Sequence, residues 1–115
     1  CGGILAAKKI SAIAEAAGCQ IAPHLYSGPI LGAANIQLGC TLPNLLLIEG
    51  IQDWSGFHAE LLSRPIEWAD GYVTPSREPG LGTELNETVA LAHPYVPDPD
   101  DSTDLHLEMH SSPVR

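Results

Sequence analysis

The chain has 115 residues, 44% of them hydrophobic, which suits a single globular domain. Fourteen acids against five Lys and Arg give a formal net charge of -9. Phosphate binding needs a basic surface that this balance does not supply, so nucleic acid is excluded as a partner. No membrane partner is expected either: no apolar run approaches the length of a bilayer, and the N-terminus lacks the basic, apolar and small-residue layout of a signal peptide.

Cys1, Cys19 and Cys40 are an odd number without Cys-x-x-Cys spacing, so neither a disulfide framework nor a zinc knuckle is indicated. Reduced, mostly buried thiols in a cytoplasmic protein are expected. The chain opens on Cys1 and a glycine pair, and its single methionine is Met109. It is expected to be a piece of a longer protein.

Gly2 and Gly3 free the backbone for a tight turn, after which Ile4, Leu5, Ala7, Ile10, Ile13, Ala14 and Ala17 recur at helical spacing. Lys8, Lys9 and Glu15 take the wet side and Gly18 supplies the stop, which predicts an amphipathic helix. Cys19 to Pro23 is too brief for a helix and reads as an apolar strand with His24 at its end. Ser27, Gly28 and Pro29 open a second helix, with proline in the first turn where its missing N–H costs nothing. That helix has almost no polar face beyond Asn35 and Gln37, so protein is expected on most of its sides. Pro43 ends it. The run Leu45 to Ile48 lacks the alternation of a half-wet strand and reads as a fully buried parallel strand ending in Glu49. Helix, strand, helix, strand with short connections is the rhythm of an α/β barrel or doubly wound sheet.

Residues 51–56 form a loop with Asp53 and Trp54. Ser55 is expected to cap a short helix through Leu62 that turns Phe57, Leu61 and Leu62 inward, and Arg64-Pro65 breaks it. Asp70-Gly71 favours a two-residue turn between Ile66-Trp68 and Tyr72-Val73, which predicts a hairpin over 66–74. Residues 75–82 are irregular, and Asn86 caps a last helical turn or two ending before Pro94. From Pro97 the chain is acidic, aperiodic and expected to be flexible.

Two apolar runs that each end in one ionisable residue are what parallel barrel strands look like when they deliver side chains to a shared mouth. His24 and Glu49 are therefore the candidate catalytic residues. On spacing alone, His24 also fits a strand-end histidine bonded to a nearby carbonyl, and Glu49 fits a carboxylate bonded to a loop or basic side chain. Trp54 either lines a pocket or plugs a hydrophobic gap, the commoner use. His106 and His110 stand four apart, but Glu108 is one place late for a His-Glu-x-x-His metal site. His58 and His93 carry no partner pattern and are read as surface or packing residues. Gly28, Gly80 and Gly82 form no nucleotide-binding fingerprint.

The order of these signals resembles the C-terminal part of the enolase superfamily, mandelate racemase subgroup, most closely the galactonate dehydratase type of sugar-acid dehydratase. The residues that carry the resemblance are Cys1-Gly2-Gly3-Ile4, Ala22-Pro23-His24, Gly28-Pro29-Ile30, Pro43-Asn44, Ile48-Glu49, Asp70-Gly71-Tyr72 and Pro79-Gly80-Leu81-Gly82. It covers roughly Cys1 to Tyr95, and its specificity lies in order and spacing rather than in one motif.

The resemblance implies the end of a (β/α)8-type barrel. Residues 1–62 would be the C-terminal barrel segment, with 19–24 as strand seven, 29–41 as helix seven and 44–49 as strand eight. Residues 63–95 would be a hairpin and returning segment near a capping domain, and 96–115 a flexible acidic tail. The implied parent is a homo-oligomer that takes a small acid sugar and uses Mg2+. Its metal ligands, and the aspartate that pairs with the base histidine, would precede Cys1. His24 matches the family's base histidine. Glu49 matches a glutamate that holds the substrate carboxylate or enolate.

Removing a proton beside a carboxylate loads that carboxylate with a second negative charge, which is why such an enzyme uses a divalent Lewis acid. A histidine suits the base because its intrinsic titration lies near working pH. A carboxyl at the dry end of an apolar strand is expected to keep its proton and donate a hydrogen bond to an oxyanion. The reaction implied is magnesium-dependent dehydration of an aldonate to a 2-keto-3-deoxy acid, with the 115 residues inactive and poorly folded by themselves. A racemase or cycloisomerase of the same superfamily is the alternative within that class, and a noncatalytic binding or structural module the alternative outside it.

Overall fold

The computed structural model describes residues 1–50 and 54–96. The expectations for Asp53 and for the tail with His106 and His110 lie outside those residues.

Gly3, at φ 91°, starts helix α1 (Ile4–Ala16), and Gly18 at φ 72° turns the chain out of it, since both angles are left-handed and cost glycine nothing. α1 packs on helix α2 (Pro29–Gly39). The helix stands where periodicity places it, but its apolar stripe is not covered. Leu5 and Ile13 are 68% and 72% exposed, and the buried residue of α1 is Ser11, whose hydroxyl donates to the Ala7 carbonyl at 2.8 Å. One neighbouring helix is too narrow to bury a stripe that in an α/β layer would rest on a sheet.

α2 is the centre of the core, with Pro29, Gly32, Ala33, Asn35, Ile36, Leu38 and Gly39 buried. Leu25, Leu42 and Leu62 join them. Gly39 lets the helix approach the segment 45–48: a Cβ there would sit 3.0 Å from Ile48 and 3.2 Å from Leu45. The helix ends at Gly39 rather than 41, and Thr41 and Leu42 close it with tighter bonds to Leu38 and Gly39.

The two expected strands pair in parallel, but through a single bridge, Ile21 with Leu45. The Ile21 N–H donates to the Asn44 carbonyl at 2.9 Å, Leu46 N–H to the Ile21 carbonyl at 2.8 Å, and Glu49 N–H to the Pro23 carbonyl at 3.3 Å. Full strands over 19–24 and 44–49 are not formed. Parallel ladders are stable inside wide sheets, and among the described residues no third strand lies beside this pair. Asn44 anchors it by donating through Nδ2 to the carbonyls of Ser11 and Cys19, each at 3.0 Å.

Beyond Trp54 the chain differs from expectation at one element. Helix α3 (Phe57–Glu60) is a single turn capped by Gly56 at φ 54°, so Ser55 does not cap it. Leu62 instead leaves the helix to bridge Leu85 antiparallel, and only it reaches the core at 6% exposure. Phe57 is not turned inward. It is 39% exposed and its ring lies 4.5 Å from that of His93. The predicted hairpin is strands β1 (Glu67–Ala69) and β2 (Tyr72–Thr74), in antiparallel register Trp68 to Val73. Asp70 at φ 52° and Gly71 at φ 80° are both left-handed, the geometry of a type I′ turn. Helix α4 (Glu87–Ala92) is capped as expected, the Asn86 side chain accepting from Val89 N–H at 3.4 Å.

The three cysteines are free, but exposed rather than buried, because Cys1 precedes α1 and the other two lie at helix exits. Among the described residues no helix is long and apolar enough to cross a membrane.

Candidate functional site

The register of Ile21 on Leu45 determines what happens three residues later on one segment and four on the other. Two segments running the same way bring their carbonyl ends to one edge, and His24 and Glu49 stand at those ends. His24 Nε2 lies 3.8 Å from Glu49 Oε2. The last backbone rung, Glu49 N–H to the Pro23 carbonyl, fixes the two residues beside each other.

At 3.8 Å the pair is too long for a hydrogen bond, and it attracts only while the imidazole is protonated. The side chains are 79% and 52% exposed, so solvent screens the contact and it adds little to stability. Glu49 therefore does not sit in the dry setting expected of it. The arrangement offers an imidazole with a nitrogen free to take or give a proton, beside a carboxylate that can orient a polar ligand.

Among the described residues no three His, Cys, Asp or Glu side chains come together as a metal site. One imidazole and one carboxylate do not make the oxygen-rich shell that Mg2+ takes, so these residues do not fit the implied ion.

Among the described residues Trp54, Trp68, Phe57, His58 and His93 make ring contacts with one another. Trp54 lays its six-membered ring against Gly32 of α2, and its centroid is 5.9 Å from that of Trp68, tilted by 57°. Trp54 Nε1 is buried with no hydrogen-bond partner. Trp68 in turn rests on Gly50, where a Cβ would be 3.1 Å from the indole ring. His93 holds the Val89 carbonyl through Nδ1 at 2.9 Å and its ring is tilted by 52° against Phe57, while the His58 ring lies 5.8 Å from the same phenyl. Sequence reasoning passed over Trp68, Gly32 and Gly50. A glycine inside an otherwise apolar helix was the signal for Gly32, because it lowers helix propensity and is kept for close approach.

The enolase C-terminal domain-like family model matches residues 1–89, and the chain belongs to that family. It is 58% identical to the crystal structure of a candidate mandelate racemase/muconate lactonizing enzyme from Labrenzia alexandrii DFL-11, with a TM-score of 0.75 over 82% of this chain and 24% of that one. It is 34% identical to a D-galactonate dehydratase family member of Streptomyces bingchenggensis, over 84% of this chain and 24% of the relative. A candidate L-alanine-DL-glutamate epimerase from Burkholderia xenovorans, solved with magnesium and fumarate, matches at 32% identity and a TM-score of 0.75, over 80% of this chain and 23% of that one. The chain thus spans about a quarter of the length of each of these three proteins.

Proposed function

We propose that the chain is the C-terminal barrel segment of a sugar-acid dehydratase, with His24 as the proton-transfer residue and Glu49 as the residue that holds the substrate. The observation that carries this reading is the convergence of His24 and Glu49, 3.8 Å apart, at the carbonyl ends of two parallel segments in a member of this family. In the proposal 19–24 and 44–49 are barrel strands seven and eight, and 63–95 returns toward a capping domain.

The imidazole of His24 takes the α-proton of an aldonate, or gives a proton back to the product. The C–H electrons move toward the carboxylate as an enolate. The β-hydroxyl then leaves with a proton as water, and the enol becomes a 2-keto-3-deoxy acid. Glu49, on the same edge, orients the carboxylate or supports the enolate. Exposure of both side chains keeps them open to a ligand. The reading assigns magnesium to carboxylates before Cys1 and gives the 115 residues no activity by themselves.

An epimerase or cycloisomerase reading shares the first proton transfer and is favoured by the names of two of the matched structures. The complete polypeptide incubated with Mg2+ and a panel of aldonates separates them. Formation of a 2-keto-3-deoxy acid supports the dehydratase. Epimerised or isomerised acid with no keto acid contradicts it and leaves the role of His24 in place.

A further inference from the structure

The two tryptophans of the chain meet at the exit from Glu49. Trp68, on strand β1, covers Gly50, the residue directly after Glu49, close enough that a Cβ there would be 3.1 Å from its ring. Trp54 packs on Trp68 with centroids 5.9 Å apart and rests its outer ring on Gly32 of α2. Gly32 is buried and a Cβ on it would run into that indole. The hairpin, the end of the 44–49 segment and helix α2 are thereby joined through two rings and two glycines.

We infer that Trp68 and Trp54 form a clamp that positions Glu49 against His24. This rests on the role proposed for Glu49 above. Glu49 itself is half-exposed, and its backbone is held on the 21–24 side by one bond of 3.3 Å to the Pro23 carbonyl. That rung restrains the backbone of Glu49 from the 21–24 side alone. The tryptophan on Gly50 supplies the restraint from the other side, and the hairpin that carries it is set by a type I′ turn. Both rings are positioning groups and neither touches the reacting atoms. Glycine suits both seats, since a Cβ at 32 would run into the Trp54 ring and one at 50 would press on the Trp68 ring at 3.1 Å.

The test is made on the complete polypeptide with two independent readouts. Hydrogen exchange at the Glu49 amide reports the clamp without any reference to turnover. Trp68→Ala is expected to speed that exchange about tenfold while the Leu46 and Ala7 amides keep their protection. Trp68→Phe, which retains a ring over Gly50, restores it to within about threefold, and Tyr72→Ala at the exposed hairpin tip leaves it unchanged. In turnover, Trp68→Ala lowers kcat/KM about tenfold, as expected when the group that holds and orients the substrate is misplaced. Unchanged Glu49 exchange in Trp68→Ala, or faster exchange spread evenly over residues 1–50, overturns the clamp. Should Trp68→Ala fail to fold, Gly50→Ala is read in its place, and unchanged Glu49 exchange there overturns the clamp. Exchange that responds while kcat/KM stays constant supports the clamp and overturns the role given to Glu49.

Discussion

At the residue scale, His24 and Glu49 were legible because each ends a short apolar run, and chemistry at the mouth of a parallel sheet is delivered from such ends. Their mutual distance was not legible, because it depends on the register of Ile21 with Leu45, which no local pattern encodes. Nor was the openness of Glu49, since an apolar run reads as buried whether or not its neighbours are present. On the proposed roles, His24→Asn in the complete enzyme lowers kcat for α-proton removal by roughly 10²–10⁴. Glu49→Gln, which keeps size and removes charge, lowers kcat by about 10²–10³ in the same assay. Gly32→Ala needs no assay of activity: the added methyl meets Trp54, so it costs about 1–3 kcal/mol in urea unfolding of the complete protein.

At the element scale, the readable parts were those governed by local rules. Asp70-Gly71 makes the hairpin because both positions need φ above zero, and Asn86 makes α4 because its short side chain reaches an unpaired N–H. Ser55 failed as a cap because Gly56, at φ 54°, starts the turn one residue later. The parallel strands failed in part for a different reason, because a ladder is a property of neighbouring strands and not of one run. What secures the pair is Asn44, whose two donors reach the Ser11 and Cys19 carbonyls. Asn44→Ala is expected to lower stability by about 1–3 kcal/mol, read as a shift in unfolding midpoint, since two acceptors lose their partner. Asn86→Ala costs less, about 0.5–1 kcal/mol, because its bond is long and α4 is short.

At the scale of the molecule, the exposed apolar residues matter most. Ile4, Leu5, Ile10 and Ile13 along α1, with Leu31 on α2 and Leu46 and Leu47 beside the bridge, are open to solvent. Periodicity announced the helix α1 and the apolar stripe along it, but that stripe is open to solvent, because no local pattern says what would bury it. Surfaces of this kind drive association. Light scattering on the isolated 115 residues is therefore expected to show oligomers and a broad, weakly cooperative melt, whereas a monomer with a sharp transition would contradict that expectation.

The central claim, that His24 moves the α-proton of an acid substrate, is tested most directly by solvent deuterium incorporation. The complete polypeptide, given Mg2+ and a panel of sugar acids in D2O, is predicted to place deuterium at the α-carbon of at least one recovered acid, or at carbon 3 of the keto acid formed. His24→Asn is predicted to abolish that incorporation while the fold remains intact by circular dichroism. Incorporation at the wild-type rate in His24→Asn would contradict the account.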